Sequence, residues 1–170
     1  MTLLDLCDVF WIMKIVVMSD THLCALTEEF AALCRRHCSD ANMVIHLGDW
    51  ERAPILDFME QYPLEAVAGN MDDRVIKARL PATKVIRAGT RRLGIVHGWG
   101  AATGLRSRLR NEFTDVDCIL FGHTHQPLQE QEDGIFWFNP GSVTMGRGDF
   151  SGSLGILRIQ ESIHSEIIPL

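Results

Sequence analysis

Short apolar runs that recur along the chain are the feature that most restricts its fold. The first three cover residues 14–18, 43–47 and 64–68, and they are almost continuously apolar and rich in valine and isoleucine. Such runs are typical of strands that are covered on both faces. Segments 27–38 and 54–61 lie between them and carry apolar residues at helical spacing. The first half of the chain therefore predicts a βαβαβ unit.

The second half of the sequence is richer in strands than the first. Residues 84–96 predict a hairpin that turns at 88–91, and residues 103–113 predict one further helix. Four more apolar runs predict strands at 117–121, 135–138, 154–159 and 163–168. We therefore expect an α/β fold in which mixed β-sheets are flanked by helices.

The chain of 170 residues has a suitable size for one domain with its own core. Met13 and Lys14 lead directly into the first predicted strand, so we interpret residues 1–12 as a non-essential N-terminal extension and residues 13–170 as the domain. The alternative is that residues 1–12 form an amphipathic segment packed on the surface. They do not resemble a secretory signal, and no run approaches the ~20 residues needed to cross a bilayer.

Charge and cysteine content exclude some classes of function. The formal net charge is −6 and there is no long basic run, which argues against general binding to nucleic-acid backbone. The five cysteines are odd in number and include no CxxC pair, so they predict reduced thiols in a cytoplasmic protein. Cys34 and Cys38 share a predicted helix face, where buried thiols are favoured over a metal site.

Five of the apolar runs are followed by side chains that can coordinate a divalent metal ion. These side chains are Asp20, His22, Asp49, Asn70, Asp72, His97, His123 and His125. Ligand sites in open α/β sheets lie outside the carboxyl ends of the strands, so these residues can converge. Asp20 and His22 are two residues apart, as are His123 and His125, and extended backbone would direct both members of each pair to one side. Glycines at 48, 69, 98 and 122 indicate tight turns or close backbone approach beside them.

The order of these motifs resembles that of the calcineurin-like metallophosphoesterase superfamily. Its pattern of D-x-H, G-D, G-N-x-D/E, a lone H and G-H-x-H is matched by "DTH", "GDW", "GNMD", "VHG" and "GHTH" between residues 19 and 125. "NPGSV" downstream is also typical of that family. The short length and the "GNxD" form are similar to the small prokaryotic phosphodiesterases. The resemblance implies a four-layer sandwich of two mixed β-sheets with helices outside.

The resemblance also implies two divalent metal ions that are held by seven side chains. Asp20, His22 and His125 would hold the first ion. Asn70, His97 and His123 would hold the second ion, and Asp49 would bridge the two. Imidazole, carboxylate and amide ligands suit Mn²⁺, Fe²⁺, Co²⁺, Ni²⁺ or Zn²⁺, and the resemblance favours manganese. Two ions ~3.5–4 Å apart would activate a metal-bridging hydroxide as the nucleophile.

Catalytic and substrate-binding roles are expected at the same motifs. Asn70 is expected to be catalytic and to bind substrate, and His97 is expected to bind substrate. Many family members have a histidine after the Asn of "GN", where this chain has Met71, which cannot donate a proton. We therefore expect weak activity on esters with poor leaving groups. Asp72 is a further catalytic candidate, with support of the metal site by hydrogen bonds as its alternative role.

These inferences predict a dinuclear phosphodiesterase that acts on a small phosphoester. A phosphomonoesterase is the alternative among enzymes, since the same metal core serves both reactions. A non-catalytic, metal-binding interaction scaffold is the alternative from another class, because a eukaryotic trafficking subunit shares this small fold. The sequence predicts no membrane partner and is compatible with a homo-oligomer.

Several other residues are expected to have structural roles. His46 is expected in the core or behind the ligands, and Arg106, Arg108 and Arg110 on a solvated helix face. Trp50 and Trp99 follow two of the ligand motifs. They are expected either to line a pocket for an aromatic group or to shield the metals.

Overall fold

The computed structural model describes residues 12–144 and 152–170, whose strands form two five-stranded sheets. The elements are, in chain order, β1 (Met13–Met18), α1 (Glu28–Cys38), β2 (Met43–His46), α2 (Ala53–Met59), β3 (Leu64–Ala66), α3 (Arg74–Arg79), β4 (Thr83–Ala88), β5 (Arg91–Val96), α4 (Leu105–Glu112), β6 (Cys118–Phe121), β7 (Leu128–Glu132), β8 (Ile135–Asn139), β9 (Ser153–Ile159) and β10 (Ile163–Pro169).

Both sheets mix parallel and antiparallel pairing. The first sheet has the order β10-β9-β1-β2-β3, in which β1, β2 and β3 are parallel neighbours. The second has the order β4-β5-β6-β8-β7, in which β5, β6 and β8 are parallel neighbours. The fold class predicted from the sequence is confirmed.

The core consists of three apolar layers, which explains the near-continuous hydrophobicity of β1. Val16 and Met18 face a cluster that contains side chains of α1, α2 and α3. Ile15 and Val17 point the other way, into the layer between the two sheets. A third cluster packs α4 onto the outer face of the second sheet. The order of layers is helix, sheet, sheet, helix, which is the four-layer arrangement expected above.

Local signals placed the first two helices correctly. Thr27 caps α1, since its side-chain oxygen accepts a hydrogen bond from the Phe30 amide. Pro54 lies in the first turn of α2, where a missing backbone donor costs little. The hairpin also forms, because β4 and β5 pair antiparallel around residues 89 and 90.

Two elements were not predicted. The six-residue helix α3 begins after Asp73, whose carboxylate accepts hydrogen bonds from the amides of Val75 and Ile76. Strand β7 is almost wholly polar and lies at the edge of the second sheet. Its pairing with β8 stabilises it, so neither hydrophobic alternation nor an apolar run marks it in the sequence.

Residues 1–11 lie outside the described residues, so the interpretation of residues 1–12 as an extension stays a prediction, as does the state of Cys7. Cys34 and Cys38 are buried in the first sheet's helix layer, as expected. Among the described residues, none of the helices has both the length and the apolar character that a membrane span requires.

Candidate metal centre

The predicted ligands lie on one rim of the two sheets. Asp20, Asn70 and His123 follow the carboxyl ends of β1, β3 and β6, and Asp49 follows β2. His97 comes directly after β5. Because these strands are parallel within each sheet and the sheets are stacked, loops from both sheets meet at this rim.

One group of side chains, here called the inner cluster, contains Asp20, His22 and His125. Their ligand atoms all lie within 4.8 Å of one another. Asp20 Oδ1 is 3.2 Å from His125 Nε2 and 3.9 Å from His22 Nε2. The two Nε2 atoms face each other at 3.2 Å. Two imidazole nitrogens and a carboxylate oxygen thus converge on one point.

A second group, here called the outer cluster, contains Asn70, His97 and His123. Asn70 Oδ1 lies 3.1 Å from His97 Nε2 and 3.0 Å from His123 Nδ1. The side-chain oxygen of Asn70 therefore stands between the two imidazole rings, which are 5.3 Å apart between their centroids.

Asp49 lies between the two clusters. Its Oδ2 atom is 3.2 Å from His97 Nε2 and 3.8 Å from His22 Nε2. Its Oδ1 atom instead accepts a hydrogen bond from the Met71 amide at 2.8 Å, which fixes the carboxylate plane. The ligand atoms of Asp20, Asp49 and His97 also form a compact group within 4.8 Å. One carboxylate oxygen of Asp49 is therefore shared by both clusters.

Acceptors behind the rings orient the histidines. His97 Nδ1 lies 2.8 Å from the Leu47 carbonyl, and His123 Nε2 lies 2.8 Å from the Gly100 carbonyl. His22 Nδ1 lies 3.2 Å from a carboxylate oxygen of Glu51. In the neutral tautomer that donates to these acceptors, the other nitrogen of His22, His97 and His123 directs its lone pair into the cluster.

The carboxylates and imidazoles of the centre favour each other's charged forms. Burial alone would raise the pKa of Asp20, but His125, His97 and Ser19 outweigh this effect and lower it. The pKa of Asp49 is also lowered, because His97 and the Met71 amide outweigh burial. Burial opposes the charge of His97, yet Asp49 and Asp20 raise its pKa. Both carboxylates are thus ionised and available to a cation at neutral pH.

The backbone explanation for the i, i+2 pairs is wrong. Asp20, His22, His123 and His125 all have positive φ, between 48° and 67°, whereas extended backbone has negative φ. Tight loops, not strand extensions, present these side chains. The consequence differs for the two pairs, because Asp20 and His22 do meet in one cluster while His123 and His125 separate into different clusters.

Two glycines make room for the ligand loops. A Cβ atom at Gly122 would collide with Ser19 Oγ and would lie 2.8 Å from Asp20 Oδ2. A Cβ atom at Gly69 would collide with the carboxylate of Asp49. The glycines of "GHTH" and "GNMD" are therefore required for close approach, as predicted for these positions.

Asp72 supports the centre from behind. Its Oδ1 accepts hydrogen bonds from the amides of Trp50 and Glu51, and its Oδ2 accepts one from Gly69 at 2.6 Å. Burial raises the pKa of Asp72 against the effect of these donors. Both oxygens are occupied by backbone that carries Asp49 and Asn70. This geometry favours the supporting role of Asp72, and a catalytic role for Asp72 stays a prediction.

The "NPGS" segment holds two ligand loops together, a function that the sequence did not reveal. The buried Asn139 amide donates to the Gly122 carbonyl at 2.9 Å and to Thr124 Oγ1 at 3.1 Å. Ser142 Oγ donates to the Asp20 carbonyl at 2.8 Å. Asn139 ends β8, which is parallel to β6, so its place at the rim follows from the topology.

Ser19 and Glu51 are further supporting residues that the sequence pattern missed. Ser19 Oγ donates to Asp20 Oδ2 at 2.6 Å, so the Oδ1 atom of Asp20 is the one turned to the cluster. Glu51 directly follows the "GDW" motif, but no motif in the sequence marked it as a supporting residue.

His46 and Trp50 are core residues. Both are fully buried, and their rings stack with centroids 3.5 Å apart. His46 Nδ1 accepts a hydrogen bond from the Gly48 amide, so the ring braces the loop before Asp49. His46 is in the core, as expected, whereas burial rules out a pocket-lining role for Trp50. Trp99 has 40% of its surface exposed.

Two of the arginines after His97 are partly buried and make specific contacts. Arg106 pairs with Glu130 and Glu132 of β7 and stacks over Trp137. Arg108 donates to the carbonyls of Trp99 and Thr103 and so holds the loop that precedes α4. Arg110 is exposed, as expected for a solvated helix face, whereas Arg106 has partners on the polar strand β7, which was not predicted.

The residues of the centre fit divalent metal ions. Among the described residues, Asp20 Oδ1 is one of three buried side-chain polar atoms that no well-directed hydrogen bond satisfies, although His125 Nε2 lies 3.2 Å from it. A buried carboxylate oxygen in that state is costly unless a cation compensates it. The nitrogen and oxygen donors, with no thiolate, match the borderline and hard first-row divalent ions.

Comparison with known proteins agrees with this chemistry. The model of the calcineurin-like phosphoesterase superfamily domain matches residues 13–162. The chain is 30% identical over 162 residues to "Probable metallophosphoesterase MJ0623" of Methanocaldococcus jannaschii, which covers 93% of this chain and 82% of that protein.

Two solved structures illustrate the likeness of the fold. Yfce, a phosphoesterase from E. coli, matches with a TM-score of 0.67 and 25% identity over 92% of this chain and 99% of its own. Vps29 of Entamoeba histolytica, in complex with zinc, matches with a TM-score of 0.64 and 23% identity. That match covers 92% of this chain and 99% of Vps29 and shows a common fold alone.

The chain belongs to the calcineurin-like phosphoesterase superfamily, which confirms the resemblance read from its motifs. Membership supports a phosphoesterase activity, and the rim of the sheets supplies candidate metal-binding residues.

Proposed function

We propose that the protein is a dinuclear metal-dependent hydrolase of small phosphoesters, and specifically a phosphodiesterase. The observation that carries the proposal is the position of Asp49 Oδ2 between two convergent groups of ligand atoms. The inner cluster and Asp49 suit one divalent ion, and the outer cluster and Asp49 suit a second. Manganese is the first choice, and Fe²⁺, Co²⁺, Ni²⁺ and Zn²⁺ have compatible ligand preferences.

Bound divalent ions would supply Lewis acidity and an activated water at this rim. The chain's own contribution is orientation and charge. Asn70 is exposed and directs its Oδ1 atom to the histidines, so its side-chain NH₂ group is free to donate to a phosphate oxygen. His97 lies beside Asn70 and Asp49 and so borders the same phosphate position.

The residue that follows Asn70 limits the reaction. Met71 has 59% of its surface exposed and no proton to give, although its amide fixes Asp49. Departure of an alkoxide therefore depends on the substrate's own leaving ability. General acid catalysis contributes about 10²- to 10⁴-fold where it is present, so esters with good leaving groups are the preferred substrates.

The test uses metal-stripped protein that is reloaded with Mn²⁺, Ni²⁺, Zn²⁺ or Mg²⁺ and assayed on nitrophenyl monoesters and diesters in parallel. We expect diester hydrolysis that is abolished by chelation and by His97→Ala. The matched control is His164→Ala, which removes an exposed histidine on β10. Preference for the monoester would favour a phosphomonoesterase. Bound metal without turnover of either ester would contradict an enzyme and favour the scaffold.

A further inference from the structure

A cavity of about 460 Å³ opens directly beside the outer cluster. Asn70 and His97 form part of its wall. Its volume is within the range of pockets that bind small organic molecules. Asn70 and His97 border both the metal centre and the cavity. A group bonded to a phosphorus atom at the metal centre can therefore extend into the cavity.

The walls of the cavity are mainly apolar. Ala68, Leu80, Ala82 and Val96 line it, and the indole of Trp99 is exposed at it. An exposed tryptophan offers a flat surface on which an aromatic group can stack. The fixed loop around Trp99 supports this role, since Arg108 donates to the Trp99 carbonyl at 3.0 Å.

The charged side chains on the cavity wall balance each other. Lys77 and Glu112 carry opposite charges, and the Lys77 ammonium donates to the Asn70 carbonyl at 2.9 Å. The Lys77 ammonium is thus held next to Asn70 of the outer cluster, where it would lie near the phosphate end of a bound ester. The rest of the wall offers little to a charged group, which would lose its hydration without gaining a partner.

We propose that this cavity binds an uncharged, flat, mostly apolar group that is esterified to phosphorus, so that aryl phosphoesters are the preferred substrate class. The preference rests on the proposed function only for turnover, since binding can be measured without it. A charged or strongly polar substituent on phosphorus is disfavoured by the same walls.

The binding test uses phenylphosphonate and methylphosphonate, which cannot be hydrolysed at the C–P bond, with the manganese-loaded protein and isothermal titration calorimetry. We expect phenylphosphonate to bind about ten-fold more tightly, given the apolar area and stacking that its ring gains. Trp99→Ala and the cavity-filling Ala82→Phe should each reduce that ratio to about two. Val85→Ala, which alters an exposed apolar residue of β4 that does not line the cavity, should preserve it.

Equal affinity for the two phosphonates, no binding of either, or a ratio unchanged in both cavity variants would overturn the proposal. Parallel assays of p-nitrophenyl phenyl phosphate and p-nitrophenyl methyl phosphate separate this result from the proposed function. Turnover of both esters at equal kcat/KM, without a binding preference, would support the proposed hydrolase function and contradict the proposed role of the cavity. A binding preference without turnover would support the cavity and contradict the hydrolase.

Discussion

The inner and outer clusters are built from similar side chains but differ in their surroundings. The inner cluster is closed, since Asp20 is fully buried and the side chains of His22 and His125 are only 10% and 9% exposed. The outer cluster has an exposed Asn70 and a half-buried His123, and it borders the apolar cavity. The same rim therefore has one side that is enclosed by protein and one side that borders a cavity.

The supporting contacts follow the same division. Ser19, Ser142 and Glu51 hold residues of the inner cluster through side-chain hydrogen bonds. Backbone carbonyls orient both rings of the outer cluster. Under the proposed function, the inner cluster would hold a cation within the fold and the outer cluster would present one to the substrate, and the variants below test that division.

Neutralising the shared carboxylate should have the largest effect. Asp49→Asn replaces a charge that both clusters use, and we expect kcat/KM for a nitrophenyl diester to fall by about 10³-fold, as for the loss of a principal electrostatic group. The control is Asp57→Asn, which removes an exposed carboxylate that pairs with Arg79. Activity within a factor of about ten of wild type would show that Asp49 does not join the clusters.

Restoring a proton donor should change the outer side alone. Met71→His places an imidazole next to Asn70, and we expect hydrolysis of esters with poor leaving groups to rise by about 10²-fold. Rates on nitrophenyl esters should change little, because their leaving group needs no proton. The comparison of kcat between alkyl and nitrophenyl esters measures the effect, and an equal change on both classes would contradict our account of Met71.

Weakening the support of His22 should change the inner side. Glu51→Gln keeps the size of the side chain but removes the carboxylate that faces His22 Nδ1, so we expect one of two metal affinities to fall about ten-fold. Metal titration with Mn²⁺ checks this, with Glu60→Gln as an exposed control. Equal loss at both sites, or at neither, would show that the clusters are not separately supported.

A buried histidine behind the centre should make the stability of the fold depend on pH. Burial lowers the pKa of His46 from 6.5 to about 3. Between these two pH values the unfolded chain binds a proton at this histidine and the native chain does not. Stability from this residue is therefore present above the unfolded pKa and is lost as the pH falls.

The variant His46→Gln removes this titration. We expect the difference in unfolding free energy between wild type and variant to narrow by about 2 kcal/mol from pH 7 to pH 5 in chelator-treated samples. Urea denaturation at the two pH values measures it. A difference that stays constant would mean that His46 is not held neutral in the folded chain.

The sequence predicted which residues meet better than it predicted how they meet. Parallel strands that end at one rim brought Asp20 and His125 together across 105 positions, because the order of apolar runs determines where loops converge. The left-handed backbone at His123 and His125 was not predictable, since a contact that fixes part of this loop, from the His123 amide to Asp20 Oδ2, is made across 103 positions of the chain. The supporting role of Asn139 depends on a long-range hydrogen bond that no local spacing encodes.

Anomalous diffraction from crystals soaked in Mn²⁺ tests the central claim most directly. The account predicts two manganese peaks per chain, one at the inner cluster and one at the outer cluster, with Asp49 in contact with both. A single peak, or two peaks of which neither contacts Asp49, would contradict it.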